Sequence, residues 1–287
     1  MEPRVVREGL GFGEGPRWHD GRLWYSDFYD HAVHALAPDG SDERVVEVAQ
    51  QPSGLGWLPD GRLLVVSMID RRLLRREADG SLELHADLSG LATWHCNDMV
   101  VDRAGRAYVG NFGFDFETVG QEGGSVPVPA VLARVDPDGA VSVAAEELVF
   151  PNGTVITPDG ATLVIAETGA NQLTAFDVAA DGTLSGRRVW ADLRERQILP
   201  DGICLDAEGA IWVANAFSPT VLRVGEGGAI LEEVTFSQPC FACMLGGSVG
   251  RDLYVASAPT AISHEAAATH AGRIEVVTVD VPHDGLP

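Results

Sequence analysis

The sequence predicts an all-β protein, a six-bladed β-propeller, and three observations carry that expectation. One strand–turn–strand pattern is written six times along the chain, at steps of 39, 44, 55, 49 and 41 residues. Each copy runs on into a third short strand. Helical periodicity is nearly absent, with a single short turn expected over 191–196.

The clearest copy opens at Pro200-Asp201-Gly202, continues as a buried strand, turns at 206–209 and returns as a second buried strand to Val213. Glycine in that turn accepts the positive φ that closes a hairpin. The pattern recurs from Asn152 (turn at Pro158-Asp159-Gly160), from Asn97 (Arg103-Ala104-Gly105) and from Ser53 (Pro59-Asp60-Gly61). It opens one residue shorter at Glu14 (His19-Asp20-Gly21), and its most eroded form opens at Ala242 and turns at 248–250. Third strands follow at 31–36, 72–76, 131–135, 172–176, 220–224 and 273–277. Val5-Val6-Arg7-Glu8 reads as a strand with no local partner, and the last copy has no strand after 274–281. Propellers remove exposed edges by closing on themselves, so the N-terminal strand is expected to complete the last blade beside Ile274. One propeller uses nearly all 287 residues, and 1–287 is expected to be a single domain.

Composition narrows the function classes. Lys plus Arg is 20 against 42 Asp plus Glu, a net charge of −22, which argues against nucleic-acid backbones and anionic membrane surfaces as partners. No run of 18 apolar residues predicts a membrane span. Met1-Glu2-Pro3-Arg4 lacks the apolar core of a secretion signal, so a cytoplasmic location is expected, as a monomer or weak homo-oligomer. Cys240 and Cys243 have CxxC spacing, but no second pair completes a zinc site and no βαβ context supports redox chemistry. All four cysteines are expected to be reduced, and packed or pocket-lining.

Equivalent positions of the innermost strands converge on a propeller axis. The six opening residues Glu14, Ser53, Asn97, Asn152, Asp201 and Ala242 therefore form a ring, and four of them carry oxygen donors suited to a hard divalent cation. Taken in order, Glu14 brings a carboxylate to a buried axis, which is costly unless it is paired or bound to metal. Ser67 and Met68 read as pocket wall, and Arg71, Arg72, Arg75 and Arg76 as a solvated outer strand. In Trp94-His95-Cys96-Asn97-Asp98, His95 points from the loop towards the mouth and Asp98 supports Asn97 as an acceptor. The longest insertion, from Gly110 to Pro129, reads as a flap over one end. Glu167 lies beside the axis, as support to the ring or as a structural carboxylate. The loop carrying His264, Glu265 and His270 reads as a solvated linker, with draping over the mouth as the alternative.

These ring residues and their neighbours resemble the SMP-30/gluconolactonase/luciferin-regenerating-enzyme family. The resemblance rests on Gly13-Glu14-Gly15-Pro16, Asn97-Asp98 before Gly105, Pro151-Asn152-Gly153 and Pro200-Asp201-Gly202, and it covers essentially the whole chain. It implies a six-bladed propeller with one catalytic divalent cation on the axis, Ca²⁺ first, with Zn²⁺, Mn²⁺ or Mg²⁺ as other occupants. It implies that Glu14, Asn152 and Asp201 are metal ligands, that Asp201 is the general base, and that Asn97 contacts substrate and the nucleophilic water. In related phosphotriesterases the residue matching Asn97 also ligates the metal. One departure stands out: sugar lactonases of the family place an Arg where this chain has His95. With Trp94, Met68, Phe112, Phe114, Phe217 and Phe241 around the same pocket, the expected substrate is a lactone or ester less polar than a sugar lactone.

The expected activity is therefore hydrolysis of a small-molecule lactone or related ester by metal-activated water, of EC 3.1.1 type. Three other readings use the same ring: a gluconolactonase-type sugar lactonase, a phosphotriesterase-like hydrolase, and a calcium- or ligand-binding propeller without turnover. A metal-free strictosidine-synthase-like propeller is disfavoured by the intact set of oxygen donors.

Overall fold

Each repeat folds into one four-stranded antiparallel sheet in the computed structural model, which describes residues 2–287, and six such sheets form a β-propeller. The innermost strands are Gly13–His19, Pro52–Trp57, Cys96–Val101, Pro151–Ile156, Pro200–Leu205 and Cys240–Gly246. Burial falls off outwards. Cys96–Val101 and Ala107–Asn111 are buried along their whole length, whereas the outermost strand of that blade, Val141–Leu148, is mostly exposed. Strands packed on both faces read as continuous apolar runs, and the rim carries the charge. Residues 4–10 behave as the sequence predicts: Arg4–Leu10 pairs antiparallel with Gly272–Thr278, setting Arg4 opposite Val276 and Leu10 opposite Gly272.

The recurring Asp-Gly pairs turn the chain in two ways. Asp20 and Gly21 both take positive φ, 48° and 74°, the signature of a two-residue type I′ hairpin. At most other turns the Asp side chain accepts the backbone N–H two residues on, as Asp39 does from Ser41, Asp60 from Arg62 and Asp159 from Ala161.

Every innermost strand carries a β-bulge near its opening residue, such as between Pro151 and Thr154 and between Pro200 and Ile203. A bulge inserts one unpaired residue and re-aims a side chain. Here it turns Asn152 and Asp201 out of the sheet towards the axis. The glycine that follows lets neighbouring blades touch: a Cβ on Gly153 would stand 2.5 Å from the Ile203 amide nitrogen, and one on Gly202 2.6 Å from the Ala242 Cα.

Four features differ from the sequence expectation. In the last blade Cys240 pairs with Ser257 and Ala242 with Ala256, so the residue left between them is Phe241. Phe241 therefore takes the sixth ring position expected for Ala242. The segment expected as a linker contains a short α-helix, Ser263–Thr269, and Ser263 lines the axial cavity. In the basic strand Arg72–Arg76 only Arg72 is exposed, because Arg75 is half-buried between Glu77 and His85. Short 3₁₀ turns also form at Phe116–Thr118 and Thr168–Ala170, beside the one at Arg194–Arg196 within the expected 191–196 turn. Residues after 279 cross the far end of the channel: Pro282 accepts from Ala207, His283 donates to Gly250, and Leu286 pairs with Ile156. No helix among the described residues is long and apolar enough to cross a membrane.

A polar knot ties the closing strand to the first blade. Arg7 Nε and Tyr25 Oη both donate to Asp42 at 2.8 Å, and His34 lies 3.3 Å from Asp42 and 2.8 Å from Asp30. Burial pushes the His34 imidazolium down, but the carboxylates of Asp42 and Asp30 beside it outweigh burial and raise it above the ordinary histidine value. A raised folded-state value means the charged form stabilises the fold fully below about pH 6.5, and that contribution is lost as pH rises through the folded value. His34→Gln is accordingly expected to cost roughly 1 kcal/mol at pH 5.5 and less at pH 9 by urea unfolding. A cost that grows with pH would contradict the assignment.

Candidate functional site

Glu14, Asn97, Asn152 and Asp201 converge on one cavity of about 670 Å³ on the axis. Each is between 5% and 8% exposed, so these polar groups are held away from bulk water. A hydrogen-bond chain fixes them in order around the ring. Ser53 Oγ donates to Asn97 Oδ1 at 3.3 Å, and Asn97 Nδ2 donates to Asn152 Oδ1 at 2.9 Å. Asn152 in turn donates to Thr168 Oγ1, which donates to the carbonyl of Pro200, the residue before Asp201. Glu14 accepts the N–H of Gly15 at 2.9 Å.

Charge is unbalanced on the ring. Burial pushes Glu14 up to about 8, against the Gly15 bond that lowers it, and Asp98 adds to the rise while Arg17 opposes it. Burial also raises Asp201 well above the carboxylate range, and the nearby charge of Glu14 adds to it. Asp98 does not support Asn97 as expected. It accepts from Arg17 Nη2 at 2.6 Å and from the Met99 N–H at 2.8 Å. Arg17, 3% exposed, also donates to the carbonyls of Leu55, Pro16 and Met99. This pair neutralises itself, and Glu14 and Asp201 are left with no cation of their own. Among the described residues no three His, Cys, Asp or Glu side chains gather around one point, so an ion would need the asparagine amides as well. Two carboxylates and two amide oxygens, all hard donors, with no protein cation to balance the ionised carboxylates, fit a divalent cation such as Ca²⁺.

All the expected mouth residues line this cavity: Met68, Trp94, His95, Phe112, Phe114 and Phe217. Phe217 sits at the rim, 59% exposed. Trp94 stacks on His95 with centroids 4.9 Å apart, and the His95 carbonyl accepts the Phe112 N–H. Burial holds His95 below its ordinary value and therefore neutral at pH 7. Sequence reasoning missed Phe12, Phe28, Tyr29, Phe116 and Phe150. A signal for two of them was present. Side chains two positions apart on a strand share a face, and Phe12 and Phe150 precede Glu14 and Asn152 by the same two residues that separate His95 from Asn97. Two aromatic runs result, Phe28–Phe12–Phe241–Phe217 on one side and His95–Phe112–Phe150 on the other.

The flap meets the helix of the last blade over this cavity. Both oxygens of Glu117 accept from Ser263, one from its N–H and one from its hydroxyl, each at 3.0 Å. His264 and His270 are exposed and lie outside the cavity lining. Glu167 is structural: it accepts from the Val149 N–H, Thr174, Gln172 and Arg187. The four cysteines are free and buried, with Cys204 Sγ 3.9 Å from Cys243 Sγ.

A family model described as SMP-30/Gluconolactonase/LRE-like region matches residues 12–259. The pentonolactonase XacC of Haloferax volcanii is 31% identical over 80% of this chain and 72% of its own length. The 6-deoxy-6-sulfogluconolactonase of Pseudomonas putida is 25% identical over 88% and 85%. In fold, a calcium-binding protein, regucalcin, from Agrobacterium tumefaciens superposes with a TM-score of 0.83 at 23% identity, covering 100% of this chain and 97% of that one.

Removing one partner of a buried ion pair leaves the other charge uncompensated. Arg17→Met is therefore expected to cost about 3–5 kcal/mol by urea unfolding. Arg194→Met, at a side chain 69% exposed, should stay within about 0.5 kcal/mol. Similar small costs for both would show that the Arg17–Asp98 pair does not support the ring.

Proposed function

The chain belongs to the SMP-30/gluconolactonase/LRE-like family, and from that premise we propose that it is a divalent-metal-dependent hydrolase of lactones or closely related esters. One observation carries the reading: two buried carboxylates and two amides share the axial cavity and have no protein cation to balance them. The names of the lactonase relatives support the reaction class. Glu14, Asn152 and Asp201 would hold the cation, with Asn97 beside them.

When bound, the cation supplies Lewis acidity at the lactone carbonyl and lowers the pKa of water. The chain's own groups do the rest. Asp201 takes the proton of the attacking water as its oxygen bonds to the carbonyl carbon. Asn97, fixed between Ser53 and Asn152, orients that water and the substrate. As the ring C–O bond breaks, Asp201 returns the proton to the leaving oxygen, which balances the step. The aromatic walls exclude bulk water and hold the body of the substrate.

A sugar lactone is the second reading, favoured by the names of the two lactonase relatives. Against it stands the mouth. Neutral His95 offers one donor and one acceptor where an Arg offers a charged fork, and each sugar hydroxyl buried among phenylalanines needs a partner.

Asp201→Asn removes the base and one ligand charge together. It is expected to lower kcat at least 10³-fold, in the range of a lost proton-transfer group, while the circular dichroism spectrum is retained. Wild-type turnover by this variant would remove Asp201 from the mechanism. Chelated protein should be inactive on every lactone and recover with added Ca²⁺, Mn²⁺, Mg²⁺ or Zn²⁺; full activity in excess chelator would exclude the metal reading. For the metal-loaded protein, kcat/KM for dihydrocoumarin is expected to exceed that for gluconolactone by about tenfold, roughly 1.4 kcal/mol, and His95→Arg to narrow the gap. A preference for gluconolactone would return the protein to the sugar-lactonase reading.

A further inference from the structure

The mouth of the axial cavity is chemically one-sided. Eight of the chain's ten phenylalanines line it, together with Tyr29 and Trp94. None of the 20 basic residues does, and all 20 are arginine. Among the described residues, the only charged ones in the lining are Glu14, Asp115, Glu117 and Asp201. Glu14 and Asp201 belong to the axial ring, so a divalent cation there would balance them and leave the mouth with two negative charges. Asp115 and Glu117 stand on the flap beside Phe112, Phe116 and Trp94. Asp115 Oδ1 accepts the Glu117 N–H at 3.1 Å, leaving Oδ2 available. Both oxygens of Glu117 accept from Ser263 at the same wall. Arg71, whose charge acts on His95, is not in the cavity lining and donates to the Ala92 carbonyl. Aromatic faces carry negative potential and attract cations within about 6 Å of a ring centroid, more strongly when water is excluded. Carboxylates at the same wall add to that attraction, while an anionic substituent would find neither a cation nor a charged fork.

We propose that the mouth selects by charge, and that the preferred substrate is a lactone or ester with an apolar body bearing a protonated amine or quaternary ammonium group, held by the wall of Trp94, Phe112, Phe116, Asp115 and Glu117. The proposal rests on the lactone-hydrolase reading and adds the chemical class of the substrate. Anionic lactones are excluded for the same reason. Asp115 acts here as a specificity-determining residue: it touches the substituent, and the ring that reacts lies deeper on the axis.

The test uses three dihydrocoumarins that differ only in a trimethylammoniomethyl, hydroxymethyl or sulfonatomethyl group, with metal-loaded full-length protein. The ammonium compound is expected to exceed the hydroxymethyl one in kcat/KM by about tenfold, and the sulfonate to fall below it by a similar factor, chiefly through KM. The spread should shrink in 1 M salt, where charges are screened within about 3 Å. Asp115→Asn should lower the cation-to-neutral ratio about threefold, and Asp115→Glu should restore most of it. Equal kcat/KM for all three compounds would overturn the charge selection and leave the hydrolase reading standing. No turnover of any compound with any divalent cation would overturn the hydrolase reading. Charge selection is then decided by tryptophan-fluorescence binding of benzyltrimethylammonium against benzenesulfonate: tighter cation binding upholds it, and equal binding ends it.

Discussion

Glu14 and Asp201 lie buried within each other's field, and most of the molecule serves to keep them there. Neither group would choose that place on its own, since loss of water pushes both towards the protonated form. The bulges aim them inwards, the glycines beside them let blades approach, and the Ser53–Asn97–Asn152 chain fixes the amides between them. Below, Arg17 is held by Asp98 and three carbonyls, which keeps it from swinging up to neutralise the ring. The site is thus left wanting positive charge by construction, and the rigidity that preserves this want is spread over six blades.

How much of this was readable from the chain depends on distance along it. The repeat and the ring residues Glu14, Asn97, Asn152 and Asp201 announce themselves locally, because turn chemistry and strand alternation act over a dozen residues. The sixth position was misread by one residue because Phe241 and Ala242 stand at that bulge, with neither a polar residue nor a glycine to mark it. Arg17 carries no local signal in the sequence. Its partner Asp98 is 81 positions away and meets it only when the ring closes. The Glu117–Ser263 contact spans 146 positions, between a flap and a seven-residue helix too short to show periodicity. Long-range pairs of this kind leave no trace in a single sequence.

The acidic composition has a structural cause as well as a functional one. Much of the Asp is spent on turns, where carboxylates bind backbone N–H groups in place of solvent. Such groups carry negative charge to the rims of the blades without any ligand in view. The aromatic residues are distributed the other way: aliphatic side chains dominate the packing between blades, and the phenylalanines gather at the mouth. Net charge alone is therefore a poor guide to the site, and the pairing of aromatic faces with uncompensated carboxylates is a better one.

The closing strand sets the order of events when the chain is made. Arg4–Leu10 leaves the ribosome about 260 residues before its partner Gly272–Thr278. At about 5–20 residues per second the interval is on the order of 10–50 s, during which a strand with Val5 and Val6 has no mate. Blades one to five can each form from their own consecutive residues in that time. The axial site cannot mature so early, because Glu14 hangs from the blade beside the seam and Asp201 arrives late. The axial site would then close in one step once Gly272–Thr278 has been made, and a closing strand delayed or captured elsewhere would leave five folded blades around an open, solvated ring.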